Sequence, residues 1–310
     1  MSLRIGLVGL GAIARAQHLP ALEQVAGVHL AALASRNATL PDLPCYTDIK
    51  ALLAAEPDVP AISLCTPPQG RFDQAMAVLR AGRHLMLEKP PGATLSEVEA
   101  LREEAARRGL SLFATWHSRA AAGVDAARAW VAGQRLRKVV IEWREDVRKW
   151  HPGQDWIWQA GGLGVFDPGI NALSILTTVL REPVRITSAD LLVPEGRQTP
   201  IAARLEMRAA DVAIQADFDW RETGDELWRI RFETQDSAAT LDQGGARFAI
   251  DGQVQPVAVA SEYATLYAQF RDLVARGESN ADFTPLRLVA DAFLCAHTQR
   301  VAPFVDDSNG

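Results

Sequence analysis

A glycine-rich turn near the amino terminus is the first feature of the sequence that suggests a chemical role. Residues 9–14 read Gly-Leu-Gly-Ala-Ile-Ala and fit the pattern G-x-G-x-x-[G/A]. In this pattern the first glycine permits a tight turn, the second lets the backbone approach a pyrophosphate, and the small third residue lets helix and strand pack closely. The turn therefore predicts a dinucleotide site that includes Gly9, Gly11, Ala12 and Ile13, and the alternative is a turn with a purely structural role.

The end of the second predicted strand indicates which dinucleotide would bind. The strand Val28–Ala34 is followed by Ser35, Arg36 and Asn37, without an acidic residue. NAD enzymes usually place Asp or Glu there to hold the ribose 2′-hydroxyl, whereas an arginine fork suits the 2′-phosphate of NADP. We therefore expect Ser35 and Arg36 to favour NADP. NAD stays the alternative, because Arg36 would also be unremarkable as a solvated surface residue.

Residues that follow two further strands are candidates for the same site, because ligands of open α/β sheets bind beyond the carboxyl ends of the strands. They are Cys65, Thr66 and Pro67 after the strand at 61–64, and Glu88 and Lys89 after the strand at 84–87. A solvated lysine after a strand is the usual case. A lysine held before two prolines at this edge is less usual, and its ammonium group could stabilise negative charge that develops on a substrate oxygen.

Asp167 and Asn171 lie four residues apart and are predicted to share one face of a helix. A carboxylate in that position could act as a general base, while the asparagine amide can both donate and accept hydrogen bonds. Because Pro168 follows it, Asp167 fits a helix N-cap equally well, and the residues alone leave both roles open.

Residues 143–158 hold four of the eight tryptophans of the chain, among acidic, histidine and glutamine side chains. Sugars present apolar C–H faces beside dense hydroxyl edges, so aromatic walls next to hydrogen-bonding groups suit them. The candidates for sugar contact are Glu145, Trp150, His151, Trp228 and His117, the last of which fits a structural role equally well. The remaining tryptophans of this stretch, Trp143, Trp156 and Trp158, are expected in the core or at a subunit interface. Since no set of ligand-type residues has metal spacing, we expect no metal.

The elements that must position these residues change character along the chain. Up to residue 118 the pattern predicts strands at 4–8, 28–34, 61–64, 84–87 and 110–114, alternating with helices at 12–25, 47–55, 70–81 and 94–108. After a helix at 119–132, it predicts strands at 136–146, 184–193, 199–208, 211–220, 226–234 and 238–250, and helices at 167–180, 261–276 and 283–298. Alternating strands and helices indicate a parallel sheet, whereas consecutive strands indicate an antiparallel one with an open face.

The sequence thus predicts an α/β protein with two domains. Residues 1–118 form an N-terminal Rossmann dinucleotide-binding domain, and residues 119–300 form an α+β domain with a large, mostly antiparallel open sheet. Residues 301–310 are expected to be a C-terminal tail. This second domain would bind the substrate, and its open sheet suggests a surface through which the protein forms a homo-oligomer.

Composition and charge narrow the class of protein. The 310 residues suit about two domains, and a net charge of −6 with scattered arginines argues against a nucleic-acid partner. Three cysteines without CxxC spacing fit a reducing compartment and predict neither a disulfide framework nor a zinc site. The apolar N-terminal run resembles a signal peptide, but the dinucleotide turn explains its glycines better. No later run reaches the length of a membrane span, so we expect a cytoplasmic protein without a membrane partner.

Several motifs together resemble the Gfo/Idh/MocA oxidoreductase family over nearly the whole chain. They are the turn at 9–14, the strand ending in Glu88-Lys89-Pro90, and an Asp-x-x-x-Asn pattern at 167–171. The resemblance implies that Lys89 reaches into the active site and that its neighbours line a nicotinamide pocket. Asn171 stands where many members have histidine. Because asparagine cannot titrate, proton transfer would fall to Asp167, with Lys89 nearby.

Longer strings at 87–94, 113–119, 150–158 and 164–171 are similar to the bacterial L-arabinose and D-galactose 1-dehydrogenases of this family. The resemblance implies oxidation of the C1 hydroxyl of a pyranose to a lactone with NAD(P)+, with Asp167, Lys89 and Asn171 as the catalytic residues. It leaves the choice between the two sugars open. The alternatives are a dehydrogenase for a cyclitol or another secondary alcohol, and a non-catalytic dinucleotide-binding regulator, which would be expected to have lost Lys89 and Asp167.

Overall fold

A computed structural model describes residues 2–259 and 261–305. The chain divides into two compact units, of which the first comprises Met1–His117 and Ser261–Phe283 and the second comprises Ser118–Ala260 and Thr284–Gly310. Residues 261–283, which the sequence analysis assigns to the second domain, therefore belong to the first unit. Of the expected C-terminal tail, residues 306–310 lie outside the described residues, and residue 301 still belongs to a strand.

The strands are numbered in chain order: β1 (Leu3–Val8), β2 (Val28–Ala34), β3 (Cys45–Tyr46), β4 (Ala61–Leu64), β5 (His84–Leu87), β6 (Leu112–Ala114), β7 (Lys138–Arg144), β8 (Val184–Pro194), β9 (Ala202–Ala209), β10 (Val212–Asp219), β11 (Leu227–Glu233), β12 (Ala238–Asp242), β13 (Arg247–Ile250), β14 (Gln253–Val254) and β15 (Ala296–Val301). The α-helices are α1 (Leu19–Gln24), α2 (Ile49–Ala55), α3 (Arg71–Arg80), α4 (Leu95–Arg108), α5 (Val124–Ala132), α6 (Val147–Trp150), α7 (Phe166–Val179), α8 (Glu262–Arg276) and α9 (Thr284–Cys295). A π-helical turn, Ala14–His18, leads directly into α1.

The first unit is built on a parallel sheet with the strand order β3-β2-β1-β4-β5-β6. The central strands are mostly apolar because both faces of a parallel sheet are covered, as the buried runs of β4 and β5 show. The residue after each central strand continues the hydrogen-bond ladder: the amide of Gly9 donates to Ala34, that of Cys65 to Val8, and that of Glu88 to Leu64. The predicted Rossmann-type sheet is confirmed, with its candidate residues together at the carboxyl edge.

Helix α8 completes the core of this sheet. Its side chains Tyr263, Leu266, Tyr267, Phe270 and Leu273 are buried in one cluster with Leu3, Ile5, Met86 and Phe113. The amphipathic sequence of α8 predicted a helix correctly, but an apolar stripe does not specify which surface it covers. The assignment of this helix to the second domain was wrong for that reason.

The second unit contains a nine-stranded sheet with the order β14-β13-β12-β11-β7-β10-β9-β8-β15. Two pairs, β7 with β10 and β8 with β15, are parallel, and the other neighbours are antiparallel. Burial alternates along β9 and β10, so one face is covered and the other is exposed. This confirms the predicted large, mostly antiparallel sheet.

Two predicted elements of this unit differ in the structure. The single strand expected at 238–250 is divided into β12 and β13 by a turn at Gln243–Gly245, where Gln243 and both glycines have positive φ. The last helix ends at Cys295 rather than at 298, and the following residues form β15, which pairs with β8. In the part of the chain that the structure describes, no helix is both long enough and apolar enough to span a membrane.

Candidate active site

The glycine-rich turn has the geometry that a dinucleotide requires. Gly9 has φ +91°, and a Cβ atom on it would lie 3.1 Å from backbone atoms of Cys65 and Thr66. A Cβ on Gly11 would meet nothing within 4 Å, so this side of the turn is open to a ligand. Ala14 is fully buried against Leu7, Leu10 and Leu33, where a larger side chain would separate helix from sheet. These observations fit a bound pyrophosphate at this turn.

The helix that follows offers free backbone amides at the same place. It begins at Ala12, and its first backbone bond runs from the amide of Arg15 to the carbonyl of Gly11. The amides of the first turn have no partner within a helix, so Ala12 and Ile13 can present theirs to a phosphate. Both residues are exposed.

The predicted ribose-side residues lie at the end of β2. The amide of Ser35 donates to the carbonyl of Tyr46, which extends the pairing of β2 with β3. Ser35 is half-buried and Arg36 is exposed. The guanidinium group of Arg36 is thus accessible at the carboxyl edge of the sheet, as the prediction of a 2′-phosphate contact requires.

A buried arginine that the sequence analysis did not single out connects the two loops beside the turn. Arg71 is only 2% exposed and donates to the carbonyl oxygens of Thr66, Glu88 and Pro90, with Nε 2.9 Å from the Thr66 oxygen. Thr66 is further held by a 2.9 Å hydrogen bond to Gln74. Arg71 therefore fixes the backbone on either side of Lys89.

The carboxylate of Glu88 lies inside the first unit and is fully engaged by protein donors. Its Oε1 accepts hydrogen bonds from His18 Nε2 at 3.0 Å and from the Tyr263 hydroxyl at 2.8 Å, and its Oε2 accepts from the amide of Lys89 at 2.7 Å. Burial raises the pKa of Glu88, but the hydrogen bond and charge of His18 outweigh it and lower this pKa to about 2. Glu88 is therefore ionised and holds the backbone of Lys89 in place.

His18, which ends the π-helical turn, carries the matching positive charge. Burial lowers its pKa, but contacts with Cys65 and Tyr267 and the hydrogen bond to Glu88 raise the pKa well above its ordinary value. The hydrogen bonds agree with this direction: the Tyr267 hydroxyl donates to Ser63, so its oxygen accepts from His18 Nδ1 at 2.7 Å. With both ring nitrogens donating, His18 is an imidazolium paired with Glu88.

In the second unit, Asp167 lies within the first turn of α7. The helix begins at Phe166 with Val165 in the cap position, so Asp167 is not the N-cap that Pro168 made an alternative. Asp167 is 4% exposed, and its Oδ2 lies 3.2 Å from His151 Nε2. Asn171 follows one turn later and is half-buried.

Glu145 lies in the same part of the second unit and is 5% exposed. Its Oε1 accepts a hydrogen bond from the indole of Trp220 at 3.1 Å and its Oε2 one from Trp228 at 2.9 Å. Burial raises the pKa of Glu145 to about 7 even though the two indoles and His151 act in the opposite direction, and nearby Asp167 adds to the increase. We call Glu145, His151, Asp167, Trp220 and Trp228 the acid–tryptophan cluster.

An aromatic wall adjoins this cluster. The rings of Trp150 and Trp228 lie 5.8 Å apart, and Trp150 is 45% exposed, with its indole donating to Glu226 at 2.6 Å. Trp143 and Trp158 are buried, as expected for core residues. Trp156, also expected in the core or at a subunit interface, is half-buried, and its indole donates to the Gln154 side chain.

The structure thus brings four predicted sugar contacts, Glu145, Trp150, His151 and Trp228, together with Asp167. The fifth, His117, ends the first segment of the first unit, where its Nδ1 lies 2.6 Å from Glu262 and its ring stacks on Tyr263.

Sequence reasoning missed Trp220 and His18. Trp220 follows β10, which pairs in parallel with β7, and no local pattern predicts that pairing. Among the described residues no group of His, Cys, Asp and Glu could hold a metal ion.

Comparison with known proteins agrees with this geometry. Residues 3–115 match the family model GFO_IDH_MocA, described as an oxidoreductase family with an NAD-binding Rossmann fold. The chain is 44% identical over 308 residues to galactose 1-dehydrogenase of Pseudomonas fluorescens, covering 98% of this chain and 99% of that protein.

Solved structures give the same result. The crystal structure of a D-galactose-1-dehydrogenase protein from Rhizobium etli superposes with a TM-score of 0.93 at 50% identity, and the match covers 98% of each chain. The 3-ketoreductase KijD10 of Actinomadura kijaniata, solved with NADP and TDP-benzene, shares the fold at 21% identity with a TM-score of 0.85, covering 97% of this chain and 100% of that one. On its match to this family model and its 44% identity to galactose 1-dehydrogenase over nearly the whole of both chains, the chain belongs to the Gfo/Idh/MocA family of oxidoreductases with an NAD-binding Rossmann fold.

Proposed function

We propose that the protein is an aldose 1-dehydrogenase, which oxidises the C1 hydroxyl of L-arabinose, D-galactose or both to the lactone. The observation that carries the proposal is the acid–tryptophan cluster, in which two buried carboxylates lie beside an exposed aromatic wall. Such a wall suits the C–H face of a pyranose, and carboxylates suit its hydroxyls. The near-complete similarity to galactose 1-dehydrogenase supports the same substrate class.

Each residue of the proposed active site has a separate role in the reaction. Asp167 accepts the proton of the C1 hydroxyl, and Asn171 holds the substrate by donating and accepting hydrogen bonds. Lys89 hydrogen-bonds the reacting oxygen and stabilises its developing negative charge. A bound nicotinamide cofactor would supply the acceptor for the hydride that leaves C1. Glu145 binds sugar hydroxyls, Trp150 and Trp228 flank the ring, and His117 and His151 are further predicted contacts.

Initial rates of cofactor reduction test this proposal. The sugars are L-arabinose, D-galactose, D-glucose, D-xylose and myo-inositol, each with NADP and with NAD. Strong turnover of the first two and little of glucose or inositol is expected, and Asp167→Asn should abolish turnover while cofactor binding persists. No turnover of any sugar by protein that binds cofactor would contradict the proposal. Turnover of inositol alone would favour the cyclitol alternative.

The preference for NADP is part of the same proposal and rests on Arg36. If its guanidinium group binds the 2′-phosphate, Arg36→Ala should raise the Michaelis constant for NADP about tenfold or more, because a charge-assisted contact of this kind is worth roughly 1.5–3 kcal/mol. The constant for NAD should change little. Arg135→Ala, at an exposed position of the second unit, is the control. Equal increases in the Michaelis constants for NADP and NAD would contradict the assignment of Arg36 to the 2′-phosphate.

A further inference from the structure

The carboxyl group of Glu145 is held from both neighbouring strands of the sheet. Glu145 follows β7, which lies between β11 and β10. Trp228 of β11 donates its indole N–H to Oε2 at 2.9 Å, and Trp220, directly after β10, donates to Oε1 at 3.1 Å. Each carboxyl oxygen thus has an indole donor from a different strand, and the two donors together define the orientation of the group.

Trp220 is the more deeply buried of the two donors. It is fully buried, whereas Trp228 is half-buried. Its ring packs against His151 and Trp158, with ring centroids 5.3 Å and 5.5 Å apart. These contacts keep the indole N–H of Trp220 directed at Glu145.

The two indoles favour one protonation state of Glu145. An indole N–H can only donate a hydrogen bond, so both oxygens of Glu145 must accept. An ionised carboxylate has about four lone-pair sites, so with one indole on each oxygen it can still accept hydrogen bonds from two hydroxyl groups of a ligand. Protonation would occupy one of the remaining sites. The ionised form is therefore the one suited to a ligand with several hydroxyl groups.

We propose that Trp220 is a positioning residue for the substrate: its indole holds Glu145 in the ionised form, oriented to accept hydrogen bonds from sugar hydroxyls. This inference rests on the proposed function, in which Glu145 binds the sugar. Burial acts against the ionised form, since it raises the pKa of Glu145 to about 7, and the hydrogen bonds from both indoles lower this pKa. Without the donor from Trp220, the neutral form would extend to higher pH.

The charged groups around Glu145 come from several elements. His151, which follows α6, lowers the pKa of Glu145, and Asp167 of α7 raises it. The other charged neighbours along β7, β10, β11 and α6 lie in ion pairs, which are Arg144–Asp217, Asp146–Arg148, Asp219–Arg221 and Glu226–Lys149. Replacing the indole of Trp220 with another aromatic ring changes none of these charges, so its effect on ionisation is exerted on Glu145 itself.

Trp220→Phe tests the proposal, because it keeps an aromatic ring against His151 and removes the donor. We expect KM for the aldose, at saturating cofactor, to rise about five- to tenfold at pH 6, since a hydrogen bond to a charged group favours its ionisation by a factor of about ten or more. At pH 9, where Glu145 is largely ionised with or without this donor, KM should rise less than about twofold. Because Asp167 is unchanged, kcat should change little at either pH.

Trp158→Phe is the matched control. Trp158 is also buried and packs against Trp220, but it is not among the described donors to Glu145. Its KM relative to wild type should be the same at pH 6 and pH 9. Glu145→Gln cannot ionise, so its KM should be raised at both pH values and should lack the rise that wild-type KM shows between pH 9 and pH 6.

Trp228→Phe provides a second donor variant in case Trp220→Phe does not fold. It removes the other indole from the same carboxylate, so its KM relative to wild type should again be higher at pH 6 than at pH 9. A KM ratio that does not depend on pH, in either donor variant, would overturn the proposal, and so would a loss of kcat with unchanged KM in Trp220→Phe. If the wild-type enzyme oxidises no aldose, the proposed function itself fails, and that result is seen before any variant is made.

Discussion

Replacing Glu88 with glutamine should remove a large electrostatic contribution to the stability of the first unit. The pKa of Glu88 is about 2 in the folded protein against an ordinary value of 4.5. Each unit of difference between folded and unfolded states corresponds to about 1.4 kcal/mol, so the ionised group contributes about 3 kcal/mol. A lowered carboxyl pKa stabilises the fold above pH 4.5, and this contribution is lost as the pH falls towards 2. At pH 3 about half of it should remain.

Urea unfolding followed by far-ultraviolet circular dichroism measures this effect at pH 7 and at pH 3. Glu103→Gln is the matched control, since Glu103 is an exposed residue of α4 and loses the same charge. Relative to that control, Glu88→Gln should lose about 3 kcal/mol at pH 7 and clearly less at pH 3. The reasoning would be refuted by equal stability of the two variants at pH 7, or by a deficit that does not shrink in acid.

Two further predictions concern the second unit. Gly164→Ala should destabilise the protein by about 2–3 kcal/mol, because a Cβ at this position would lie 2.3 Å from the Pro200 carbonyl oxygen. Gly196→Ala is the control, since Gly196 also has a positive φ but a Cβ there would meet open space, so this variant should lose less stability. Similar melting temperatures for both variants would disprove the clash. Because burial raises the pKa of Glu145 to about 7, its ionisation destabilises the fold as the pH rises from 4.5 through 7. The stability of Glu145→Gln relative to wild type should therefore increase between pH 5 and pH 8, by up to about 3 kcal/mol, and a constant difference in thermal unfolding would contradict this sign.

The fold was predictable where local pattern and tertiary structure agree. Strands β2, β4 and β5 begin and end at the expected residues because short apolar runs bounded by turns have few other solutions in a parallel sheet. The end of the last helix was wrong because residues 296–298 suit either state, and pairing of β15 with β8, more than a hundred residues earlier, decides between them. The prediction of the domain against which α8 packs was wrong for a related reason: an amphipathic pattern shows which face of a helix is buried but not which surface covers it.

The candidate site, like the fold, could be predicted from the sequence only where local pattern decides the structure. Gly9, Gly11 and Ala14 could be assigned individual roles from spacing alone, because backbone geometry and helix packing are local properties. The partners of Glu145 and Glu88 could not be predicted from spacing, because each hydrogen bond or ion pair joins residues that only the fold brings together. His18 has no sequence signal of its own: a single histidine between a glutamine and a leucine is unremarkable until the structure places it against the buried carboxylate of Glu88.

The return of α8 to the first unit has a consequence for synthesis on the ribosome. The apolar face that α8 covers is made early, but α8 itself follows only after the 144 residues from 118 to 261 have been added. At 5–20 residues per second the nascent chain would carry that face uncovered for roughly 7–30 s. During this interval it is a target for holdase chaperones, and a truncation before residue 261 would make the exposure permanent.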